Sequence, residues 1–210
     1  MKKLLLTLGF AMCVTFSHSQ MFYGGGGSVC LDCYSSIEVG AVSSNISGLD
    51  NSSQKIGFHF GYYSYKYVSE TVTFRFGISY DNLGATLDDP DNLLESNRLI
   101  IHSINFPLSV HYTYNNQFQG FAGGEAGTNF FGKIPARKTS GTQYVDYDFN
   151  SNFNLFDASV FVGAGYILAN NIDINLKYNL GVTNVSKNDD NNWKKNWFTL
   201  SIAYTFRDDI

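Results

Sequence analysis

Apolar and polar residues alternate with a period of two along most of the chain. From Phe198 to Phe206 one side carries Phe198, Leu200, Ile202, Tyr204 and Phe206, and the other carries Thr199, Ser201, Ala203 and Thr205. Between Ile172 and Val182, the set Ile172, Ile174, Leu176, Tyr178, Leu180 and Val182 opposes Asp173, Asn175, Lys177, Asn179 and Gly181. Successive side chains of a strand point to opposite faces, so alternation this strict predicts strands. A helix would mix the two sets around its circumference. The same pattern marks 72–81 and 103–114, and, diluted by glycine and alanine, 37–43, 56–65, 120–130 and 158–168. The sum is about eight strands, an even number that suits a closed antiparallel up-and-down barrel.

The connections alternate as well. Short links near 69–71, 115–117 and 170–171 separate long polar segments at 82–98, 133–154 and 183–196. Tight turns on one side and large loops on the other are the habit of outer-membrane barrels, with turns and both termini in the periplasm and loops outside. Pro107 falls inside a strong strand pattern, where it removes a ladder hydrogen bond and predicts a local kink.

Composition decides which face meets what. The chain is 16% aromatic but only 15% charged. A soluble barrel would show Lys, Glu, Arg and Asp to water. Here the polar face is mostly Ser, Thr, Asn and Gly, which suits a narrow packed lumen, while Phe, Leu, Ile and Val with Tyr near strand ends suit hydrocarbon bounded by aromatic girdles. The expected fold is therefore an all-β transmembrane barrel. A soluble exported barrel with an apolar ligand inside is the alternative that alternation alone leaves open. A formal net charge of −4 gives no broad basic footprint for nucleic acid.

The N-terminus reads as an address. Lys2 and Lys3 precede an apolar stretch from Leu4 to Phe16, and Ser17-His18-Ser19 supplies small residues for cleavage before Gln20. The expected organisation is a signal peptide over 1–19, a flexible segment over 20–34 and a barrel domain over 35–210. Cys30 and Cys33 are the cysteines left after cleavage. With no second pair, no nearby His and no βαβ pattern, they are candidates for a local disulfide rather than a zinc or redox site.

On the lumen face the pattern places Arg75, His59, His111, Glu125, Asp173 and Lys177. Charges of both signs in a narrow barrel must pair, so a structural network is the first reading and a small-solute channel the sharper one. His59 and His111 lack a third ligand, and no metal or cofactor is expected. Trp193, Trp197, Tyr204 and Phe206 are membrane-interface candidates, the two tryptophans flanking Lys194-Lys195 in a way that could also grip lipopolysaccharide. No nucleophile elbow, zincin helix, P-loop or paired-acid motif occurs, and the expected role is non-enzymatic.

Four stretches then carry a resemblance. They are Val39-Gly40 to Asn45-Ile46 with Lys55-Ile56-Gly57-Phe58, Ile104-Asn105-Phe106-Pro107-Leu108, Phe121-Ala122-Gly123-Gly124, and Ala203-Tyr204-Thr205-Phe206. On these the chain resembles the PorT-like outer-membrane β-barrel family of Bacteroidetes, over nearly all of the mature sequence. It departs in having Arg207–Ile210 after the final aromatic. The resemblance implies fold and outer-membrane address, with contacts to lipid and lipopolysaccharide. For some relatives it further implies a place among type IX secretion and gliding components.

Overall fold

The computed structural model describes residues 33–49, 51–88, 96–135, 137–138, 144–145, 149–169, 171–188 and 191–206. The expected signal peptide and Cys30 lie outside these residues. Cys33, at the start of the first strand, is disulfide-bonded.

Eight long strands follow one another: β1 (Cys33–Ser47), β2 (Lys55–Tyr67), β3 (Val72–Leu87), β4 (Arg98–Tyr114), β5 (Phe118–Lys133), β6 (Phe156–Ala169), β7 (Ile172–Gly181) and β8 (Lys194–Phe206). Each pairs antiparallel with the next, and β1 pairs β8 from Ser35↔Phe206 to Ser47↔Lys194, which closes the sheet into a barrel. Closure leaves no edge strand, the condition for carrying backbone through lipid. The turn between β4 and β5 spans the three residues 115–117 between the paired Tyr114 and Phe118, and Asn115 and Asn116 both adopt left-handed φ, 49° and 54°, which asparagine tolerates. At Pro107 the β3–β4 ladder lapses opposite Gly77 and Ile78, yet Phe76↔Leu108 and Ser79↔Asn105 keep the same register on either side. The proline interrupts the ladder without inserting a residue.

Side chains sort by the pattern the sequence predicts through the barrel's middle. Leu108, Leu200 and Ile202 are more than half exposed, whereas Thr199 and Ser201 are 0% and 2% exposed. The apolar face thus points out and the polar face in, which overturns the soluble carrier with an apolar interior. At the end shared by the turns and the strand termini, Tyr112, Tyr114, Phe118, Tyr166, Tyr204 and Phe206 are all exposed, the arrangement of an aromatic girdle.

Toward the opposite, loop-bearing end the sequence reading needs correcting. The segment 82–98, expected as a loop, is strand as far as Leu87 and again from Arg98. The period-two pattern fails there because Leu83, Ala85, Leu99 and Ile101 are apolar yet buried inside. The outward partners His102 and Asn82 are polar, so the alternation inverts. The segment 133–154 likewise carries a small hairpin, Arg137–Lys138 with Tyr144–Val145, and one helical turn, α1 (Phe149–Asn152).

A charge on the outward face at mid-barrel tests this orientation. Leu108→Arg should lower folding stability in lipid by about 2–4 kcal/mol, read by urea unfolding in vesicles. The same change at Phe130, near the loop end, should cost much less.

Candidate functional site

The barrel's interior gathers most of the buried charged side chains among the described residues, and it is built in layers. At the loop end Val42, Ile46, Leu83, Ala85, Leu99, Ile101 and Trp197 from the wall meet Phe149, Phe153 and Val185 from the loops in one apolar cluster. Phe149 and Phe153, one turn apart on and after α1, stack with centroids 4.7 Å apart. Gly132 makes this approach feasible, since a Cβ there would overlap the Phe149 ring. The two loops are laced together: Asn154 Nδ2 donates to the carbonyls of Asn184 and Ser186 at 3.0 and 2.9 Å, and Lys187 N donates to Asn152 O at 2.9 Å. The loops therefore cap the barrel end.

Beneath the cap Lys195 Nζ sits 2.7 Å from Asp157 and donates to Asn129 and Ser103 at 2.8 and 3.1 Å. A buried ammonium needs such a full set of acceptors, because desolvation otherwise outweighs a single ion pair. Deeper, Arg75 pairs with Glu38, which also accepts from Ser201, and the guanidinium lies 3.4 Å over the Tyr63 ring. His59 links this pair to the next: its Nδ1 meets Asp81 at 2.7 Å and its Nε2 meets Tyr63 Oη at 3.1 Å. Asp81 also accepts from Asn105 at 2.7 Å. Around the circumference Glu125 receives Lys177 at 3.5 Å, Asn179 at 3.0 Å and Ser159 at 3.2 Å. Toward the turn end His111 stacks on Phe121 at 4.6 Å and bonds Ser109, while Thr205 donates to Asp173.

The six lumen candidates are all buried. Two of them, Glu125 and Lys177, are brought together. Arg75 and His59 join one network through Glu38, whereas His111 and Asp173 hold separate partners. Among the described residues no group of three or more His, Cys, Asp or Glu side chains could hold a metal ion. The interior is chemically a set of paired charges in which hydroxyls also take part, the Ser109 hydroxyl lying 3.0 Å from His111 Nε2.

Trp197 corrects the sequence reading: it is 1% exposed inside the cap rather than at the membrane interface. Trp193 packs partly against the same cluster. Tyr204 and Phe206 point outward at the turn end. The signal for Trp197 was present, because extending the β8 alternation back from Thr199 puts both Trp197 and Lys195 on the inner face. Asp157 and Lys195 were missed for the same reason, lying where the strands outrun their clear pattern, whereas Asp81 closes the clear 72–81 strand on its inner face and was not singled out.

The family model described as outer membrane protein β-barrel domain matches residues 19–187. Among solved structures the chain is similar to Ail, the attachment invasion locus protein of Yersinia pestis, at 15% identity and TM-score 0.49, covering 83% of this chain and 99% of that one. It is also similar to Neisserial surface protein A (12%, TM-score 0.48, 83% and 97%). OprG from Pseudomonas aeruginosa is a third (11%, TM-score 0.44, 84% and 97%). No curated protein matches.

Removing one member of a buried pair should be worse than removing both. Arg75→Ala is expected to lower stability by about 3–5 kcal/mol, because it strands the Glu38 carboxylate. The double change Arg75→Met with Glu38→Gln should lose markedly less. Urea unfolding followed by tryptophan fluorescence compares them.

Proposed function

Since the chain belongs to the outer membrane protein β-barrel domain family, we propose that it is a non-enzymatic outer-membrane barrel that works through its outer loops or rim as a component of an envelope complex. It is exported by its N-terminal signal peptide and sits with both termini in the periplasm. The PorT-like resemblance makes type IX secretion or gliding components the first partners to seek. The observation that carries the reading is the filled interior. Paired charges occupy the lumen, and an apolar cluster laced by two loops covers its outer end, so the surfaces left for recognition are the loops and rim. An eight-stranded barrel is just wide enough for side chains to fill, and the ion pairs that occupy this one weigh against the channel reading.

The test is a mild-detergent pull-down of the tagged chain from isolated outer membranes, with mass spectrometry of what accompanies it. Specific recovery of secretion or gliding components is the expected result. A chain that is always solitary in native membranes contradicts the complex.

A further inference from the structure

Near the loop end the pairing between β2 and β3 is broken. It runs from Tyr67↔Thr73 to His59↔Asp81 and resumes only at Ser53↔Thr86. Residues 54–58 then face residues 82–85, one more on the first side than on the second. An inserted residue of this kind bends a strand and re-aims its side chains. Gly84 lies in the break at φ +142°, and a Cβ there would overlap the Leu99 carbonyl and crowd Lys55 Cδ at 3.2 Å. Lys55 uses that space. Only 6% exposed, it reaches across the break to Asn82, whose carbonyl accepts at 3.4 Å and whose Oδ1 accepts more closely.

Asn82 Nδ2 in turn lies 3.4 Å from His102 Nδ1 on β4, and Tyr80 Oη lies 2.5 Å from the same nitrogen. The Asn82 amide, its oxygen taken by Lys55, presents its NH2 to Nδ1, which favours the tautomer with the proton on Nε2. Arg98, exposed at the start of β4, pairs with Thr86 on β3, two residues from the Gly84 that borders the Lys55 side chain. Among the described residues no carboxylate pairs with Lys55 or Arg98. Among the described residues Arg75, Lys177 and Lys195 in the lumen each have an acid, whereas Lys55 and Arg98 have none. Like charges held together at a lipid boundary are unfavourable unless an anion joins them.

An apolar wall adjoins the cations. The β4–β5 register shifts at His102/Ser103, which turns Phe130 and Phe131 outward together, 45% and 59% exposed. Phe131 lies 5.3 Å from the His102 ring, and Phe58 lies 5.3 Å from Tyr80.

We propose that this patch binds a phosphorylated glycolipid of the outer leaflet, with phosphate on Lys55, Arg98 and His102 and acyl chains against Phe58, Phe130 and Phe131. The assignment rests on the outer-membrane reading above, with the loop end outward. It also moves the lipid-gripping site away from the Trp193–Trp197 stretch, where Lys195 and Trp197 turn into the lumen.

Native mass spectrometry of the full chain in a nonionic detergent tests this with bisphosphorylated lipid A, its dephosphorylated form, and inorganic phosphate alone. Affinity for the bisphosphorylated form should fall about tenfold on dephosphorylation, a loss of about 1.4 kcal/mol. Arg98→Gln, at an exposed site that leaves folding intact, should produce a comparable loss, and so should Lys55→Gln. Lys187→Gln, in the β7–β8 loop, should bind as the unaltered chain does. Equal binding of the two lipids, or unchanged binding by Arg98→Gln, overturns the site. Inorganic phosphate binding without lipid, lost in the same variants, overturns the lipid in favour of a free anion. Failure of the unaltered chain to reach the outer-membrane fraction defeats the parent reading. Presence there without lipid discrimination defeats only this inference.

Discussion

Every backbone N–H and C=O that a strand carries into hydrocarbon must find its partner on a neighbouring strand, because no water is there to replace it. The β1–β8 ladder from Ser35↔Phe206 to Ser47↔Lys194 meets that demand by joining the first strand to the last. Once eight strands close, the interior is just wide enough for side chains to fill. The inward face must then fill a column with Ser, Asn, Gly and a few charges, and each charge must find a counter-charge or a full set of hydrogen bonds. Glu38 with Arg75, Glu125 with Lys177 and Asp157 with Lys195 follow from closure as surely as the apolar exterior does.

The interior changes character along its axis. Polar pairs hold the middle, and at the loop end Leu83, Leu99, Ile101 and Trp197 turn inward to meet Phe149 and Phe153. An apolar cluster can lie inside the barrel there because the loops come down onto it and exclude water. The outer wall changes at the same level, with Asn82 and His102 facing out where Ile78 and Phe106 face out below. The β2–β3 ladder breaks at the same level as that reversal. A broken ladder can be tolerated at that depth, since headgroups and water satisfy what lipid tails cannot.

The barrel's middle was legible in the sequence. Phe198 to Phe206 and Ile172 to Val182 place every side chain on its observed face, because lipid outside and polar packing inside each impose a period of two. The loop end was not. Leu83 and Ala85 sit among Asn82, Gly84 and Thr86 with the apolar residues inward, so a reading tuned to apolar-out alternation ends the strand too soon. Trp197 was misplaced by its type, since tryptophan suggests an interface anchor, although its parity with Thr199 pointed inward. The lumen candidates could be assigned to a face but not to partners: that Glu38 meets Arg75 depends on how β1, β2 and β3 are staggered, and stagger is a property of the closed sheet.

The most direct measurement is site-directed spin labelling along β8 in lipid vesicles, reading the accessibility of each position from 198 to 206 to oxygen and to a water-soluble nickel complex. A packed barrel in a membrane gives high oxygen access at 198, 200, 202 and 204 and low access to both reagents at 199, 201, 203 and 205. Nickel access at the inner positions would reveal a water-filled lumen. Nickel access at the outer ones would place the apolar face in water, and either result would contradict a sealed barrel spanning the outer membrane.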